Sequence, residues 1–382
     1  MSIRACTATM IRELISPSMR FELREAAAWL REQLGRACIW RWEIVRLPQH
    51  VGRPYDVLYV GRKSHRELVK ALLRADGGAD ASKVGYHPSS RTVFIGEMPV
   101  PGALRVPWYL RAIVPLGKPI EEITAGYDSE LRRSLRKHRA RYRMRQALDD
   151  ADIDRADRDM LQPYAKARHG TAVAQVSPDM VRKIAKKVGR LDLVLLGDEM
   201  VACHLGCVIT RAEKRYWSTI RFGYPEAVFS NSKRLRETNS VTTYLALEWA
   251  LENNFDYYDI GTCLGSPDDG LLQWKRRRGG AVDTMGNHGY FHVQLPKVGT
   301  AQFLWDSPLF AVERHNLTLH LGLPDGQNDE KVAIRYRQMG FSGLFKVYLH
   351  CARPPSEHLL ETLRSLYIHQ KPPPITESIP ST

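Results

Sequence analysis

Val241, Tyr244, Leu247 and Leu251 recur at the spacing of one helical face, which predicts a helix over Asn239–Asn254 with Asn253-Asn254 as its stop. The aromatic and apolar run Tyr257–Ile260 that follows, closed by Gly261, predicts a short buried strand. Upstream, Leu191–Leu196 and Met200–Ile209 flank Gly197-Asp198, the pattern of a tight hairpin, and Lys214–Gly223 predicts a third strand. Two helices precede them, at Asp154–Ala167 and Pro178–Val188, the second with Ser177 as cap and proline in its first turn. A strongly basic helix begins at Asp128 or Ser129. Earlier still, Phe21, Leu23, Ala27, Leu30 and Leu34 line a helix over Arg20–Leu34. Strands are predicted at Cys38–Leu47, Asp56–Val60 and Thr92–Ile95, with a helix at Ser64–Arg74 and a turn at Gly77-Gly78 between the last two. Five prolines make Pro99–Pro119 irregular or extended. Another strand is expected at Gly289–Leu295.

Alternating helices and strands of this kind predict an α/β (α+β) class, with a mixed, mostly antiparallel sheet flanked by helices. At 382 residues the chain exceeds what one core usually organises, so two lobes are expected. The expected boundaries are an N-terminal lobe over 1–120, a second over 121–300, an extension over 301–370 and a disordered, proline-rich tail over 371–382. No internal repeat is evident.

Hydrophobic residues at 43% and charged residues at 26% are ordinary for a globular chain. No apolar run approaches the ~20 residues that cross a bilayer, and Met1–Ile15 lacks the apolar stretch of a secretory signal. A cytoplasmic protein is expected. The six scattered cysteines form no disulfide framework. Cys203 and Cys207 flank His204 on a predicted strand, which puts the thiols on one face and the histidine on the other, so no metal site is expected.

Charge changes the picture most. A net +14 with pI near 9.5 favours anionic partners. The excess is densest at Arg132–Arg145, with seven arginines, one lysine and His138 and no acid. Either a solvated helix face or a docking surface for tRNA, an acyl carrier protein or an acidic membrane accounts for it, with Arg132, Arg133, Arg136 and Arg139 as the candidate contacts. One aromatic, Tyr142, is too few for a single-strand stacking platform.

The densest chemistry lies at Tyr257–Gly280, YYDIGTCLGSPDDGLLQWKRRRGG. Asp259 leaves an apolar strand near its end and needs a partner there. Gly265, Ser266 and Pro267 make a turn that can bring backbone amides to a ligand. Trp274 and Lys275 open a cationic cluster that ends at Gly279-Gly280. Strand-Asp-x-Gly, loop, then an aromatic-Lys pair running to glycine resembles the Fem-like peptidyltransferases and related acyltransferases of the GNAT superfamily. The similarity extends back through the Asn239 helix and the strands from Leu191 to Tyr224, about the middle half of the chain.

That resemblance implies a GNAT-like core and an N-acyltransferase that joins an activated acyl or aminoacyl group to a small-molecule or peptide amine by direct attack. Asp259 and Lys275 match the pattern individually and would hold the acceptor or the transferring carbonyl, with Lys275 facing the developing oxyanion; an ion pair that merely fixes the loop is the alternative. His204 is a candidate base. Trp217 and Arg221 are spaced to share a strand face and, with Tyr224 and Trp274, are candidates for acceptor binding, Arg221 through its planar fork.

For a pyrophosphate, Lys233, Arg234 and Arg236 precede a helix expected to open at Asn239 or Ser240, where free amides and the dipole favour anions; a solvated basic loop is the alternative. The acyl-CoA enzymes of the superfamily carry Arg/Gln-x-x-Gly-x-Gly/Ala in that loop. Here no glycine occurs between Glu226 and Tyr258. The donor therefore stays open among acyl-CoA, an acyl carrier and, as the Fem-like resemblance implies, aminoacyl-tRNA. A nucleic-acid-binding protein that keeps the fold without catalysis is the competing class. Neither the acceptor nor the oligomeric state is fixed by these residues.

Overall fold

The computed structural model describes residues 17–38, 41–47, 53–74, 82–83, 89–169, 177–368, 370 and 373–380. The chain forms two compact units built from interleaved stretches: Met1–Leu23, Ile113–Gly261 and Arg277–Gly279 in the first, Arg24–Ala112, Thr262–Arg276 and Gly280–Thr382 in the second. Consecutive lobes at 1–120, 121–300 and 301–370 are not what the contacts divide.

In the first unit, helix α1 (Ser129–His138) starts at Asp128, whose carboxylate accepts from the Glu130 amide. Leu131 and Leu135 bury one side of α1 and leave its arginines outside. Strand β1 (Tyr142–Gln146) leads into helical turns at Asp150–Ala156 and Gln162–His169, joined through a π-helical segment at Asp157–Leu161. Ser177 caps the helix at Pro178–Lys183, as predicted. Strands β2 (Gly189–Leu196) and β3 (Glu199–Arg211) pair as a hairpin in which Leu196 faces Glu199, with Gly197 in the left-handed region at φ 62°. β4 (Lys214–Gly223) pairs antiparallel with β3.

Helix α2 (Ser232–Glu252) begins a full two turns before the predicted opening at Asn239 or Ser240. Its cap is Asn231, whose side chain accepts from the amides of Lys233 and Arg234. The first turns are polar, so apolar periodicity alone starts the helix too late. β5 (Tyr257–Leu264) then pairs parallel with β4, and five of the seven strands of this sheet run in the order β5-β4-β3-β2-β1. Leu191, Leu193, Cys203 and Leu205 pack one sheet face against Ile153, Met160, Leu161 and Val181. On the other face Trp217 meets Trp249 of α2, ring centroids 4.5 Å apart.

Two sheets make the second unit. One orders strands Ser82–Lys83, Trp42–Arg46, Asp56–Arg62, Thr92–Gly96, Tyr290–Gln294 and Leu104–Pro107. The proline-rich stretch is thus extended, and strands predicted at Cys38, Asp56, Thr92 and Gly289 are found with shifted ends. The Gly77-Gly78 turn and Met1–Ile15 lie outside the described residues. The other sheet orders Leu309–Glu313, Asn316–Leu323, Lys346–Cys351 and Ile375–Pro380. The last strand corrects the predicted tail: Ile375 to Pro380 pair in parallel register with Lys346 to Cys351. Its proline ends an edge strand, where a missing N–H costs no ladder bond.

Candidate functional site

The parallel pairing of β4 with β5 runs Tyr216↔Tyr257, Trp217↔Tyr258, Ser218↔Asp259 and then stops, although both strands continue. At the same level β4 slips against β3: Thr219 faces Gly206, but Arg221 faces Leu205. One extra residue, Ile220, is the bulge. The ladder therefore ends at Ser218 and Asp259, with the Cβ position of Gly261 still 3.3 Å from Thr219 O, and two buried polar groupings lie there on opposite faces of the sheet.

Ser218, Asp259 and Gly261 form the first. The Asp259 carboxylate is fully buried and accepts from the Ser218 hydroxyl at 2.5 Å and the Gly261 amide at 2.8 Å. Those bonds offset removal of its charge from water. Gly261 takes φ 86°, which favours glycine, just beyond the end of that ladder.

The second grouping lies on the α2 side. Arg190 donates through Nε to Asp192 Oδ1 at 2.6 Å while its guanidinium stacks 4.3 Å over the Trp249 ring. Asp192 Oδ2 lies 3.7 Å from His204 Nδ1, and both atoms are buried with no hydrogen-bond partner among the described residues. His204 Nε2 is 3.1 Å from Thr219 Oγ1, which is 3.1 Å from the Tyr258 hydroxyl. Asp192 and His204 are fully buried, whereas Thr219 is only partly so. Farther along this face, Arg278 is buried, donates to Asn239 Oδ1 at 3.1 Å, and lies among Tyr127, Tyr224 and Tyr258. Burial pushes its guanidinium down to about 10, against the opposing pull of those tyrosines. Asn239 in turn donates to the Tyr224 hydroxyl at 2.7 Å.

His204 and Asp259 are thus not brought together, since the register sets them on opposite faces. Trp217 and Arg221 do not share a face either: the bulge reverses the alternation between them, leaving Trp217 with His204 and sending Arg221 toward the opposite core. There burial lowers Arg221's proton affinity while Asp157 raises it. Asp157 is itself buried, and burial pushes its carboxyl up against a hydrogen bond from Gln162. Trp217 is fully buried behind Trp249 and Tyr224 is fully buried against Tyr164, so neither presents a surface to an acceptor. Lys275 and Trp274 belong to the second unit. Lys275 is buried there beside Cys263 and Asp269; burial raises the pKa of both, and the Lys275 charge opposes that rise.

The expected pyrophosphate group is engaged in part by the chain's own groups, with the side chains of Lys233 and Arg236 exposed. Arg234 clasps Glu199 with two contacts of 2.7 Å, Arg236 lies 3.8 Å from Glu130, and Asn231 already caps the amides of Lys233 and Arg234. Ser240 sits in the third turn of α2 and donates back to Arg236 O, so it caps nothing.

The basic run divides in two. His138, Arg139, Arg141, Arg143 and Arg145 pair with Glu237, Glu248, Glu237, Asp198 and Asp152. Arg132, Arg133, Arg136 and Lys137 are exposed and make no ion pair with any described residue. Of the groupings that matter here, sequence reasoning missed Asp192, Thr219, Tyr258, Asn239 and Arg278. The one legible signal was Asp192, a lone acid inside the apolar strand Leu191–Leu196.

Glu32, His65 and Glu97 form the one cluster with metal-ligand spacing among the described residues. Arg62 holds both carboxylates, so a cation of the chain's own already stands there. A pocket lined by Pro115, Lys214, Leu251, Phe255 and Tyr257 lies at the start of β5, where its pairing with β4 begins. No helix among the described residues is long and apolar enough to cross a membrane.

No protein-family model and no curated protein matches the chain. Solved structures to which the chain is similar include the C-terminal domain of a putative lysylphosphatidylglycerol synthetase from Agrobacterium fabrum, at 13% identity and TM-score 0.37 over 77% of this chain and 95% of that one. FemX matches at 14% identity and TM-score 0.37 over 68% and 90%, and L-PGS from Bacillus licheniformis at 13% and 0.34 over 74% and 95%.

Proposed function

We propose that this protein is an N-acyltransferase that moves an activated acyl group, of the aminoacyl kind, from an ester or thioester donor to an amine by direct attack. The observation that carries this is the end of the β4–β5 ladder at Ser218↔Asp259. Where a strand ladder ends, backbone amides can serve a carbonyl oxygen that gains charge as the amine attacks, without any signature side chain; the Gly261 amide at this edge is donated to Asp259. The adjoining Asp192–His204–Thr219 line supplies a place for the amine's proton.

For the donor, the charge distribution favours aminoacyl-tRNA over acyl-CoA. At α2 the amides of Lys233 and Arg234 are capped by Asn231 and the Arg234 guanidinium is clasped by Glu199, while the four open cations on α1 suit a polyanion. The acceptor would be a small-molecule or peptide amine.

The test incubates the purified protein separately with acetyl-CoA and with tRNA charged with radiolabelled amino acids, each with diglycine as amine, and follows amide product by mass. Product from charged tRNA alone is expected. Product from acetyl-CoA alone would overturn the choice of donor, and tRNA binding without product from either would favour a non-catalytic nucleic-acid-binding protein.

A further inference from the structure

We infer that Thr219 is the residue that takes the proton from the attacking amine, backed by His204 and Asp192 as a buried relay; this rests on the acyl-transfer reading above. Thr219 Oγ1 is the one polar side-chain atom of the relay on a residue that is not fully enclosed, and it stands at the bulge where the β4–β5 ladder ends. In the resting protein Thr219 Oγ1 donates to the Tyr258 hydroxyl at 3.1 Å; turned about its C–O bond, the same hydrogen meets His204 Nε2, also 3.1 Å away. Nδ1 then carries the ring's other hydrogen toward Asp192 Oδ2 at 3.7 Å, an acceptor with no other hydrogen bond. Arg190 occupies Asp192 Oδ1 and so fixes which oxygen faces the histidine. The geometry is that of a hydroxyl, a base and an orienting carboxylate in line.

The same line has a bland use as a buried hydrogen-bond network in a sheet. Two features speak for the relay. A network built only for stability would close the contact between Asp192 Oδ2 and His204 Nδ1, which stand apart and unsatisfied in the resting protein. Arrival of a proton on the imidazole supplies the charge that draws them together. The line also ends where the β4–β5 ladder ends rather than in the core.

In the step, the amine nitrogen's lone pair forms the C–N bond and the donor's C–O or C–S bond breaks. One nitrogen proton moves to Thr219 Oγ1 as the hydroxyl's own hydrogen passes to His204 Nε2. An amine that arrives as ammonium carries a second proton, which goes to the leaving alkoxide or thiolate, and the imidazolium returns the first to solvent between turnovers. Thr219 is never acylated.

The experiment compares two nucleophiles in the full-length protein, diglycine, whose amine is largely protonated near neutral pH, and hydroxylamine, which is not. Acetyl-CoA and charged tRNA serve as donors, with uncatalysed rates subtracted. Thr219→Val, nearly isosteric, is expected to lower kcat with diglycine by about 10²-fold or more and with hydroxylamine by less than about fivefold, as loss of a general base predicts. Thr219→Ser should restore most of the diglycine rate, and His204→Gln should behave as Thr219→Val does. Equal losses with both nucleophiles, or none, would overturn the relay while leaving acyl transfer standing. A radiolabelled acyl group retained on wild-type protein but not on Thr219→Val would also overturn it, by making Thr219 a nucleophile. Wild-type protein that transfers nothing from either donor to either nucleophile would sink the acyl-transfer reading and the relay with it. Should His204→Gln fail to fold, the threonine variants decide alone.

Discussion

Replacing Arg132, Arg133 and Arg136 together by alanine should change how tRNA binding responds to salt, more than it changes any property of the folded protein. These side chains are exposed on α1 and make no ion pair with described residues, so each is available to a phosphate. Each phosphate neutralised adds ~0.9 to the slope of log affinity against log salt. Removing three contacts should therefore flatten the slope by ~2.7, so that between 50 and 200 mM salt the variant loses affinity about 40-fold less steeply than wild type. Fluorescence anisotropy of a labelled tRNA across that salt range measures the slope directly.

The matched control is Arg139→Ala with Arg145→Ala. Arg139 bonds Glu248 and Arg145 bonds Asp152, both at 2.5 Å, so these arginines have carboxylates to give up before they can meet a phosphate. Their removal should leave the slope close to wild type. Slopes that coincide for wild type and the α1 triple variant, or that flatten equally in the control, would refute the division of the basic run into open and engaged halves.

Gly206→Ala should destabilise the first unit by ~1–3 kcal/mol in urea unfolding, because the new Cβ would stand 2.3 Å from Cζ2 of the fully buried Trp217 ring. In the second unit, His320 and His350 lie 3.0 Å apart, and burial lowers their pKa values to about 3 and about 4. The unfolded chain therefore binds protons first, so stability is full above about pH 6.5 and falls as the pH drops below it, by on the order of 2 kcal/mol per histidine at pH 5. Thermal melts should show that acid limb flatten in a His320→Gln, His350→Gln double variant.

Much of the first unit was legible because its cues are local. Gly197-Asp198 between apolar runs gave the hairpin, Asp128 and Ser177 gave helix starts, and Lys214–Gly223 was bounded correctly. The start of α2 was hidden by its polar first turns. The strand at Ile375–Pro380 was hidden by flanking prolines, since what makes it a strand is a distant partner, Lys346–Cys351. The interleaving of the units depends wholly on such distant pairings and leaves no local mark.

The candidate site was legible in position and misread in detail for a single reason, the bulge at Ile220. The stretch Ser218–Gly223 contains no glycine before its end and no proline to announce it. With regular alternation, Trp217, Thr219 and Arg221 would all face α2, and Arg221 would stand opposite His204. The inserted residue instead pairs Phe222 with His204 and moves the guanidinium to the face that holds Asp157. Thr219 is thereby left as the last polar side chain of β4 on the histidine's face, with an aromatic ring rather than a cation beyond it. A cation there would oppose a proton arriving on His204, and an exposed strand pair without the bulge would have no reason to stop at Ser218↔Asp259. The same single insertion at the end of the β4–β5 ladder therefore also moves the Arg221 guanidinium off the face of the one histidine placed to serve the opening.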